Sequence, residues 1–395
     1  MSIPPMAGPA FDADPYPAYD WLRRHAPVSK VPLPGCEAWL VTRYADAVAA
    51  LTHPALAKDP AKGSPEWQAA SLGLPLDHRP SLARHMINTD PPDHSRLRRL
   101  VSAAFTPRRI AGLRDRAQQV TDELLAKLDG KDEADLIADL AYPLPITIIC
   151  DLLGVPEGDR ATFHHHASVI DSAAASEVGA ITAATDALEE FLTDLVAAKR
   201  THPGDDLLTE LVKRPDISLD ELTSTAFLLL IAGHETTVAL IGNGMLALLR
   251  HPSQLAAVRE DPAILPDVVD EMLRYDGPLR NATWRFPTEP VVIGGQEMLP
   301  GEPILIALLS ANRDPEAFPD PDEFRPGRHG EPHLAFGRGA HYCIGAALAK
   351  IEGEAAIGTL LRKFPDIALA ADPATLTWWP SAIMRGLFSL PVRLR

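Results

Sequence analysis

The sequence predicts a mainly α-helical protein with a small β region. Apolar residues recur at helical spacing over most of 95–251, and one helix there continues for roughly 33 residues, or about 50 Å. By contrast, β-like runs are short and confined to 38–42 and to the part after Pro278. The 395 residues contain no internal repeat and no obvious linker, so we expect a single domain over 1–395.

Composition and charge argue against several classes of protein. The chain has 37 Lys and Arg against 53 Asp and Glu, a net charge of −16, whereas nucleic-acid binding requires clustered positive charge. Its 3 cysteines are too few for a disulfide framework. The first residues have neither the basic region nor the apolar run of a signal peptide, and the strongly apolar run 226–233 is far shorter than a membrane span. We therefore expect a cytoplasmic protein without a membrane anchor.

The elements follow from local signals taken in order. The apolar run 38–42 predicts a strand, and 59–84, which has scattered Pro and Gly and no period, predicts a long loop with at most one short helix. Helical spacing of apolar residues predicts one helix with Pro107 near its start and Gly130 just beyond its end, and another around 188–196.

The long helix begins at a capping box, Ser218 to Glu221, and ends before Pro252. It is apolar nearly all round, which predicts that it crosses the core of the molecule. After Pro278 the sequence predicts a strand at 291–293 followed by a glycine turn. A last helix is predicted over about 345–363, and a terminal strand near 390–392.

The segment 336–349 contains the cysteine with the most distinctive setting. Gly337 and Gly339 allow the backbone to fold tightly beside something flat or bulky, and Cys343 then stands where a helix begins. The helix dipole and free N–H groups lower the pKa of a thiol placed there, which suits a nucleophile or a metal ligand. Cys36 and Cys150 have no such setting, and we assign both to structure.

This segment resembles the haem-binding loop of the cytochrome P450 family, Phe-Gly-x-Gly-x-His-x-Cys-x-Gly followed by Leu-Ala, with every fixed position present. The resemblance implies haem b (iron protoporphyrin IX) as cofactor, with Cys343 as the axial thiolate ligand of the iron. It further implies that His341 bonds a haem propionate, that Phe336 packs near the sulfur and that Gly345 completes the loop.

A second segment interrupts the apolar long helix with Ala232, Gly233, His234, Glu235 and Thr236. A carboxylate inside such a helix is costly unless it is paired or hydrated, and a threonine that bonds back to the preceding turn can loosen the helix. The alternative is that these polar residues only form a solvated notch on the surface of the helix. The segment resembles the family's Ala-Gly-x-Glu-Thr motif, which implies that Glu235 and Thr236 deliver protons during dioxygen activation, beside a haem contacted by Ala232 and Gly233.

The pair Glu271 and Arg274 lies one helical turn apart, a spacing that is also common in surface ion pairs. In the family the same Glu-x-x-Arg is buried and is joined by a downstream arginine. The resemblance implies that Arg328 is that third member and that the group has a structural role in holding the haem loop.

Haem propionates need cationic or hydrogen-bonding partners when they are buried. The resemblance assigns this role to His94 and Arg98, which share one helix face, to Arg285, and to His341 in the cysteine loop. Without that loop, these residues would be ordinary surface charges.

By the family's layout the substrate pocket includes Leu229, Arg280, Asn281 and Ile383, with Arg280 and Asn281 anchoring a polar group. A solvent-facing Arg280 is the alternative. The C-terminal half resembles macrolide- and polyketide-tailoring hydroxylases, and small apolar residues predict a bulky lipophilic substrate. The resemblance also places parts of the wall in 59–88 and 163–181.

The resemblance implies a monooxygenase that uses O2 and external electrons to hydroxylate or epoxidise its substrate. Because the chain has no convincing dinucleotide fingerprint, we expect electrons from NAD(P)H to arrive through a ferredoxin reductase and a ferredoxin. We also expect a monomer. The predicted docking surface consists of basic residues on the cysteine side: Arg99, Arg108, Arg109, Arg338, Lys350, Arg362 and Lys363.

Three alternatives remain at this point: a steroid or terpenoid hydroxylase, a peroxide-driven peroxygenase, and a haem-thiolate sensor or electron-transfer protein. Glu235 and Thr236 argue against the last two, because neither a gas sensor nor a peroxide-driven enzyme needs that pair.

Overall fold

The computed structural model describes residues 3–33, 35–70, 79–172 and 178–395. Parts of the predicted pocket wall (71–78 and 173–177) and the side chain of Arg108 lie outside the described residues. The helices are α1 (Pro9–Ala13), α2 (Tyr16–His25), α3 (Tyr44–Thr52), α4 (Pro65–Ala69), α5 (Pro80–Ala83), α6 (Asp93–Ala104), α7 (Pro107–Ala126), α8 (Pro143–Leu153), α9 (Arg160–Ser172), α10 (Val178–Thr201), α11 (Leu207–Val212), α12 (Leu219–Leu249), α13 (Pro252–Glu260), α14 (Leu265–Asp276), α15 (Leu308–Ala311) and α16 (Ala346–Lys363). The strands are β1 (Val28–Leu33), β2 (Cys36–Val41), β3 (Leu56–Ala57), β4 (Glu133–Asp135), β5 (Ala282–Pro287), β6 (Val291–Ile293), β7 (Gln296–Met298), β8 (Ile304–Ile306), β9 (Ala368–Leu369) and β10 (Pro391–Arg393).

The chain divides into two compact units, each built from separated segments. The first, here called the mixed unit, comprises Met1–Leu72, Ala117–Tyr142 and Thr236–Arg395, and contains every strand named above. The second, here called the helical unit, comprises Gly73–Arg116 and Pro143–Glu235. The single domain expected from the sequence stays a prediction.

The main sheet of the mixed unit is buried on both faces. Its strand order is β1-β2-β8-β5-β3, with β2 and β8 parallel and the other neighbours antiparallel. Along β8, Ile304 and Ile306 enter one apolar cluster, whereas Leu305 enters a second that contains Trp284 and Phe286 of β5. Because successive strand residues point to opposite faces, this alternation gives the sheet a core on each side.

Helix α12 confirms the capping box that the sequence predicts. The backbone N–H of Glu221 donates to Ser218 Oγ (3.2 Å), and the N–H of Ser218 donates to Glu221 Oε2 (2.9 Å). The helix ends at Leu249, two residues before the predicted end, and Pro252 opens α13 instead. By length and composition α12 is a candidate membrane span, but 72% of its apolar window is buried, which is typical of a core helix.

Most other predicted elements are present within a few residues of their expected bounds. The hairpin of β6 and β7 turns at Gly294 and Gly295, whose φ angles of 55° and 78° suit glycine, and α16 covers the last predicted helix. The stretch 59–84 is more helical than predicted, since it contains both α4 and α5. A local cap explains α4: Ser64 Oγ accepts a hydrogen bond from the N–H of Trp67 (3.3 Å).

Candidate functional site

The cysteine loop lies in the mixed unit and is shaped by its own backbone. The N–H of Cys343 donates to the carbonyl of Phe336 (2.9 Å), which closes the loop. Gly337 and Gly339 have φ angles of 68° and 76°, a region that disfavours side chains. Cys343 is exposed, and α16 begins at Ala346, so the thiol stands just before a helix N-terminus as the sequence predicts.

The other two cysteines differ from Cys343 in exposure. Cys150 is fully buried, and burial raises the pKa of its thiol to about 12. Cys36 is partly buried, and burial likewise raises its thiol pKa. A thiol whose pKa is raised carries little thiolate at neutral pH, so Cys343 is the cysteine best placed to act as a ligand.

Each unit contains two of the four predicted propionate partners. In the mixed unit, Arg285 of β5 is only 4% exposed, with Nη1 donating to the carbonyl of Thr283 (3.3 Å), and His341 lies in the turn before Cys343. In the helical unit, His94 and Arg98 lie one turn apart on α6. Burial, and then the charge of Arg98, lowers the pKa of His94, which favours the neutral imidazole.

The motif in α12 lies in an open stretch of an otherwise buried helix. Residues 222–230 and 237–248 are buried, whereas Ala232 is exposed and Gly233, Glu235 and Thr236 are partly exposed. The helix is continuous there, so the loosening that the sequence suggests is not seen. Gly233 allows close packing within the helical unit, since a Cβ at this position would lie 2.7 Å from Ile149 Cδ1.

The predicted ion-pair group comes together inside the mixed unit. Arg274 donates to both carboxylate oxygens of Glu271 (Nε to Oε2, 2.7 Å; Nη2 to Oε1, 2.8 Å), and Arg328 Nε donates to Oε1 (3.0 Å). The backbone N–H of Arg325 also donates to Oε1 (2.7 Å). The side chains of Glu271 and Arg274 are each 3% exposed and that of Arg328 is 9% exposed, so this is a buried group and not a surface pair.

Asn312 connects this group to the cysteine loop, a connection that sequence reasoning missed. Arg274 Nη1 donates to the carbonyl of Asn312 (3.0 Å), and Asn312 Oδ1 accepts from the N–H of Leu334 (2.6 Å), two residues before Phe336. Asn312 is 1% exposed. In the sequence, the polar residues 312–314 directly follow an apolar stretch, and this pattern was the signal that could have indicated the connection.

The predicted substrate residues have defined contacts of their own. Arg280 is 3% exposed and its Nη1 donates to Asp12 Oδ1 (2.9 Å), so the solvent-facing alternative is wrong. Asn281 Nδ2 donates to the carbonyl of Ala382 (2.6 Å), while its buried Oδ1 has no hydrogen-bond partner in the described part of the chain. Leu229 is buried, and Ile383 is partly buried against the cluster that contains Trp284.

Comparisons with known proteins establish the family. A family model described as cytochrome P450 matches residues 179–367. The chain is 47% identical over 391 residues to "Cytochrome P450 107B1" of Saccharopolyspora erythraea, covering 97% of this chain and 96% of that protein. The chain belongs to the cytochrome P450 family. It is thus a cytochrome P450 monooxygenase with a haem-thiolate cofactor, O2 as co-substrate, a lipophilic substrate and an external source of electrons.

Two further relatives of this P450 support the same family assignment. It is 44% identical to "6-deoxyerythronolide B hydroxylase" of Saccharopolyspora erythraea, over 100% of this chain and 99% of that protein. The solved structure of the Bacillus subtilis bacillaene polyketide synthase cytochrome P450 PksS superposes with a TM-score of 0.90 at 34% identity, covering 98% of each chain. The predicted P450 fold is therefore confirmed. The comparisons favour a monooxygenase over a haem-thiolate sensor or electron-transfer protein.

The residues of this P450 fit haem. The exposed thiol of Cys343, the open stretch of α12 and the cationic Arg285 are features that a thiolate-ligated, propionate-bearing cofactor requires. Within the described ranges, no group of three or more His, Cys, Asp or Glu side chains is arranged to hold a metal ion.

Proposed function

We propose that this P450 hydroxylates a bulky lipophilic polyketide, with a macrolide lactone as the first candidate. Its similarity to 6-deoxyerythronolide B hydroxylase and to a polyketide synthase P450 supports this substrate class. Within the mixed unit, Ile383 is partly exposed and offers apolar surface, and Asn281 carries a buried Oδ1 without a hydrogen-bond partner among the described residues. Epoxidation is the second reaction consistent with the same site.

The roles of the chain's own residues follow from their chemistry. Cys343 supplies the thiolate ligand, and His341, Arg285, His94 and Arg98 hold the propionates. When bound, haem supplies the iron at which O2 is activated. Arg280 also keeps its predicted role as a substrate anchor, although its ion pair with Asp12 gives it a structural role as well.

Glu235 and Thr236 move protons in this proposal. Both are partly exposed within a buried helix, so they can exchange protons with water on the open side of α12. In this role Glu235 takes a proton from solvent and Thr236 passes it toward the site of O2 activation. The open stretch of α12 is the observation that supports this assignment.

Thr236→Ala is expected to uncouple electron consumption from product formation. With a ferredoxin system and 6-deoxyerythronolide B as the test lactone, the fraction of electrons recovered in hydroxylated product should fall severalfold, and hydrogen peroxide should rise to match. The reason is that the variant has lost the hydroxyl that delivers the proton. The measurement is the ratio of product and of peroxide to NAD(P)H consumed.

Thr237→Ala is the matched control, since it removes a neighbouring threonine hydroxyl that is 3% exposed. It should keep the wild-type ratio. Both variants should also show the strongly red-shifted Soret band of a thiolate-ligated haem after reduction and exposure to carbon monoxide. Full coupling in Thr236→Ala, or equal losses in the two variants, would contradict the proton-delivery role.

We further propose an acidic ferredoxin as the direct electron donor, delivering electrons from a ferredoxin reductase to a monomeric, cytoplasmic P450. We propose that the docking surface in the mixed unit centres on Arg338 and Lys350. Arg338 belongs to the cysteine loop, and Lys350 Nζ lies 5.9 Å from the ring centre of Phe336. Arg362 and Lys363 lie in the last turn of α16, an 18-residue helix of about 27 Å, and are therefore distant from the loop. In the helical unit, Arg109 Nη2 lies 3.7 Å from Asp205 Oδ1. The contribution of Arg99 to the docking surface stays a prediction.

The double change Arg338→Glu with Lys350→Gln is expected to slow reduction by ferredoxin about tenfold at low salt. The difference should shrink as ionic strength rises, because the loss is one of electrostatic steering. Arg362→Glu with Lys363→Gln is the matched control, because each double variant removes a lysine that forms an ion pair with an aspartate. Lys350 Nζ lies 2.5 Å from Asp270 Oδ1, and Lys363 Nζ lies 2.8 Å from Asp129 Oδ1. Equal rates for both doubles in stopped-flow reduction would reject the docking surface.

A further inference from the structure

The first half of the turn that carries Ile383 is fixed by the two residues just before β5. Ser381 Oγ accepts from the N–H of Ile383 (3.2 Å), which shapes the turn. The carbonyl of Ile383 accepts from the N–H groups of Arg280 (2.8 Å) and Asn281 (3.3 Å), and the Asn281 side chain bonds the carbonyl of Ala382. These contacts bind the turn to the segment that leads into β5, the strand that contains Arg285.

The second half of the turn is held by a buried amide on α12. Asn243 is 0% exposed, and its Nδ2 donates to the carbonyl of Arg385 (2.8 Å) and to that of Asp276 (3.3 Å). The side chain of Arg385 is itself bonded to Asp276 Oδ1 (2.6 Å) and to the carbonyl of Asp12 (2.5 Å). One amide thus joins α12, the end of α14 and the turn.

Asn243 is also well placed relative to the proton-delivery residues. It follows Thr236 by about two helical turns, so both side chains lie on the same face of α12. Burying an amide in a helix that is otherwise apolar is costly unless the amide makes specific hydrogen bonds. The neighbours of Asn243 on α12 are apolar and buried. The two hydrogen bonds from its Nδ2 to carbonyl groups therefore distinguish this position from the rest of the segment.

We propose that Asn243 is a positioning residue that sets the place of the Ile383 turn relative to Thr236 and so determines which bulky ligands the pocket accepts. The inference rests on the proposed placement of Ile383 in the substrate wall. Asn243 does not touch the ligand in this proposal. It acts by keeping the carbonyl of Arg385 at a fixed distance from α12, so that the turn cannot drift outward.

The test compares a large and a small haem ligand in the holoenzyme. Asn243→Leu preserves side-chain size and removes both donors. Clotrimazole, whose aryl groups must fit the pocket wall, should bind this variant about tenfold more weakly by optical titration, whereas imidazole should bind within about twofold of wild type. Asn243→Ala, which adds no bulk, carries the same test if the leucine variant does not fold.

Met245→Leu is the matched control, because it changes a fully buried side chain on the same helix without altering a hydrogen bond. It should leave both affinities near wild type. Unchanged clotrimazole affinity in the Asn243 variants, or equal weakening of clotrimazole and imidazole, would overturn the positioning role. A wild-type protein without the red-shifted carbon monoxide band would instead overturn the proposed function itself.

Discussion

Glu271→Ala should lower the free energy of unfolding by about 3–5 kcal/mol and abolish or greatly reduce haem retention, because it leaves buried guanidinium groups without their carboxylate. Arg274 and Arg328 both donate to Glu271, and their side chains are 3% and 9% exposed. The effect should reach the haem loop through Asn312, which bonds the N–H of Leu334. Denaturant unfolding of the purified holoenzyme, together with its haem-to-protein ratio, provides the measurement.

Glu210→Ala is the matched control for this experiment. Glu210 and Lys213 have the same i,i+3 spacing at 2.8 Å, but their side chains are 39% and 57% exposed. Exposed pairs contribute about 0–1 kcal/mol, so this variant should unfold close to wild type and retain haem. A Glu271→Ala holoenzyme of normal stability would show that the buried group is dispensable.

Glu352→Gln should gain stability relative to wild type as pH rises from about 5 to 8. Glu352 lies on α16, is 1% exposed, and its Oε2 has no hydrogen-bond partner among the residues described. Burial raises the pKa of this carboxyl from 4.5 to about 8. The protonated acid is therefore the form that the folded protein favours, and ionisation is penalised.

The sign of the pH dependence follows from linkage. A folded-state pKa above the unfolded value means that the stabilisation is complete below about pH 4.5 and is lost as pH rises through about 8. Glutamine does not ionise, so the stability of Glu352→Gln relative to wild type should increase by up to about 1.4 kcal/mol for each pH unit across that window. Chemical denaturation at several pH values between 5 and 8 measures the difference.

Glu354→Gln provides the comparison for Glu352, since it makes the same change two residues along the same helix at a partly exposed position. Its stability should follow the wild-type pH profile. If the stability of Glu352→Gln also followed the wild-type pH profile, the folded protein would not penalise ionisation of the Glu352 carboxyl.

The local elements could be predicted because their causes lie within a few residues. The capping box of Ser218 and Glu221, the glycine turn at 294–295 and the loop that closes from Cys343 to Phe336 each depend on short-range backbone geometry. The alternation of buried and open positions in α12 also reflects its sequence, since the polar residues interrupt an apolar run.

The partners of the buried polar groups could not be predicted in this way. Arg280 meets Asp12 across 268 positions of the chain, and Asn243 meets Arg385 across 142. No pattern within a window of sequence specifies such contacts, because they depend on how distant segments pack. The ion pair of Glu271 with Arg328 was found only through the resemblance, and its link through Asn312 was not found.

By itself, the sequence determined the helical class of this P450, since periodicity and capping encode it. The resemblance of two local motifs to those of the family predicted Cys343 as the thiolate ligand and Glu235 and Thr236 as the acid and the alcohol. Tertiary structure decided which polar side chains are buried and with what partner: Arg280 with Asp12, Asn243 with two carbonyls, and Glu352 with no hydrogen-bond partner in the described residues for its Oε2. The reason is physical, because the cost of burying a polar group depends on neighbours that only the folded chain brings together.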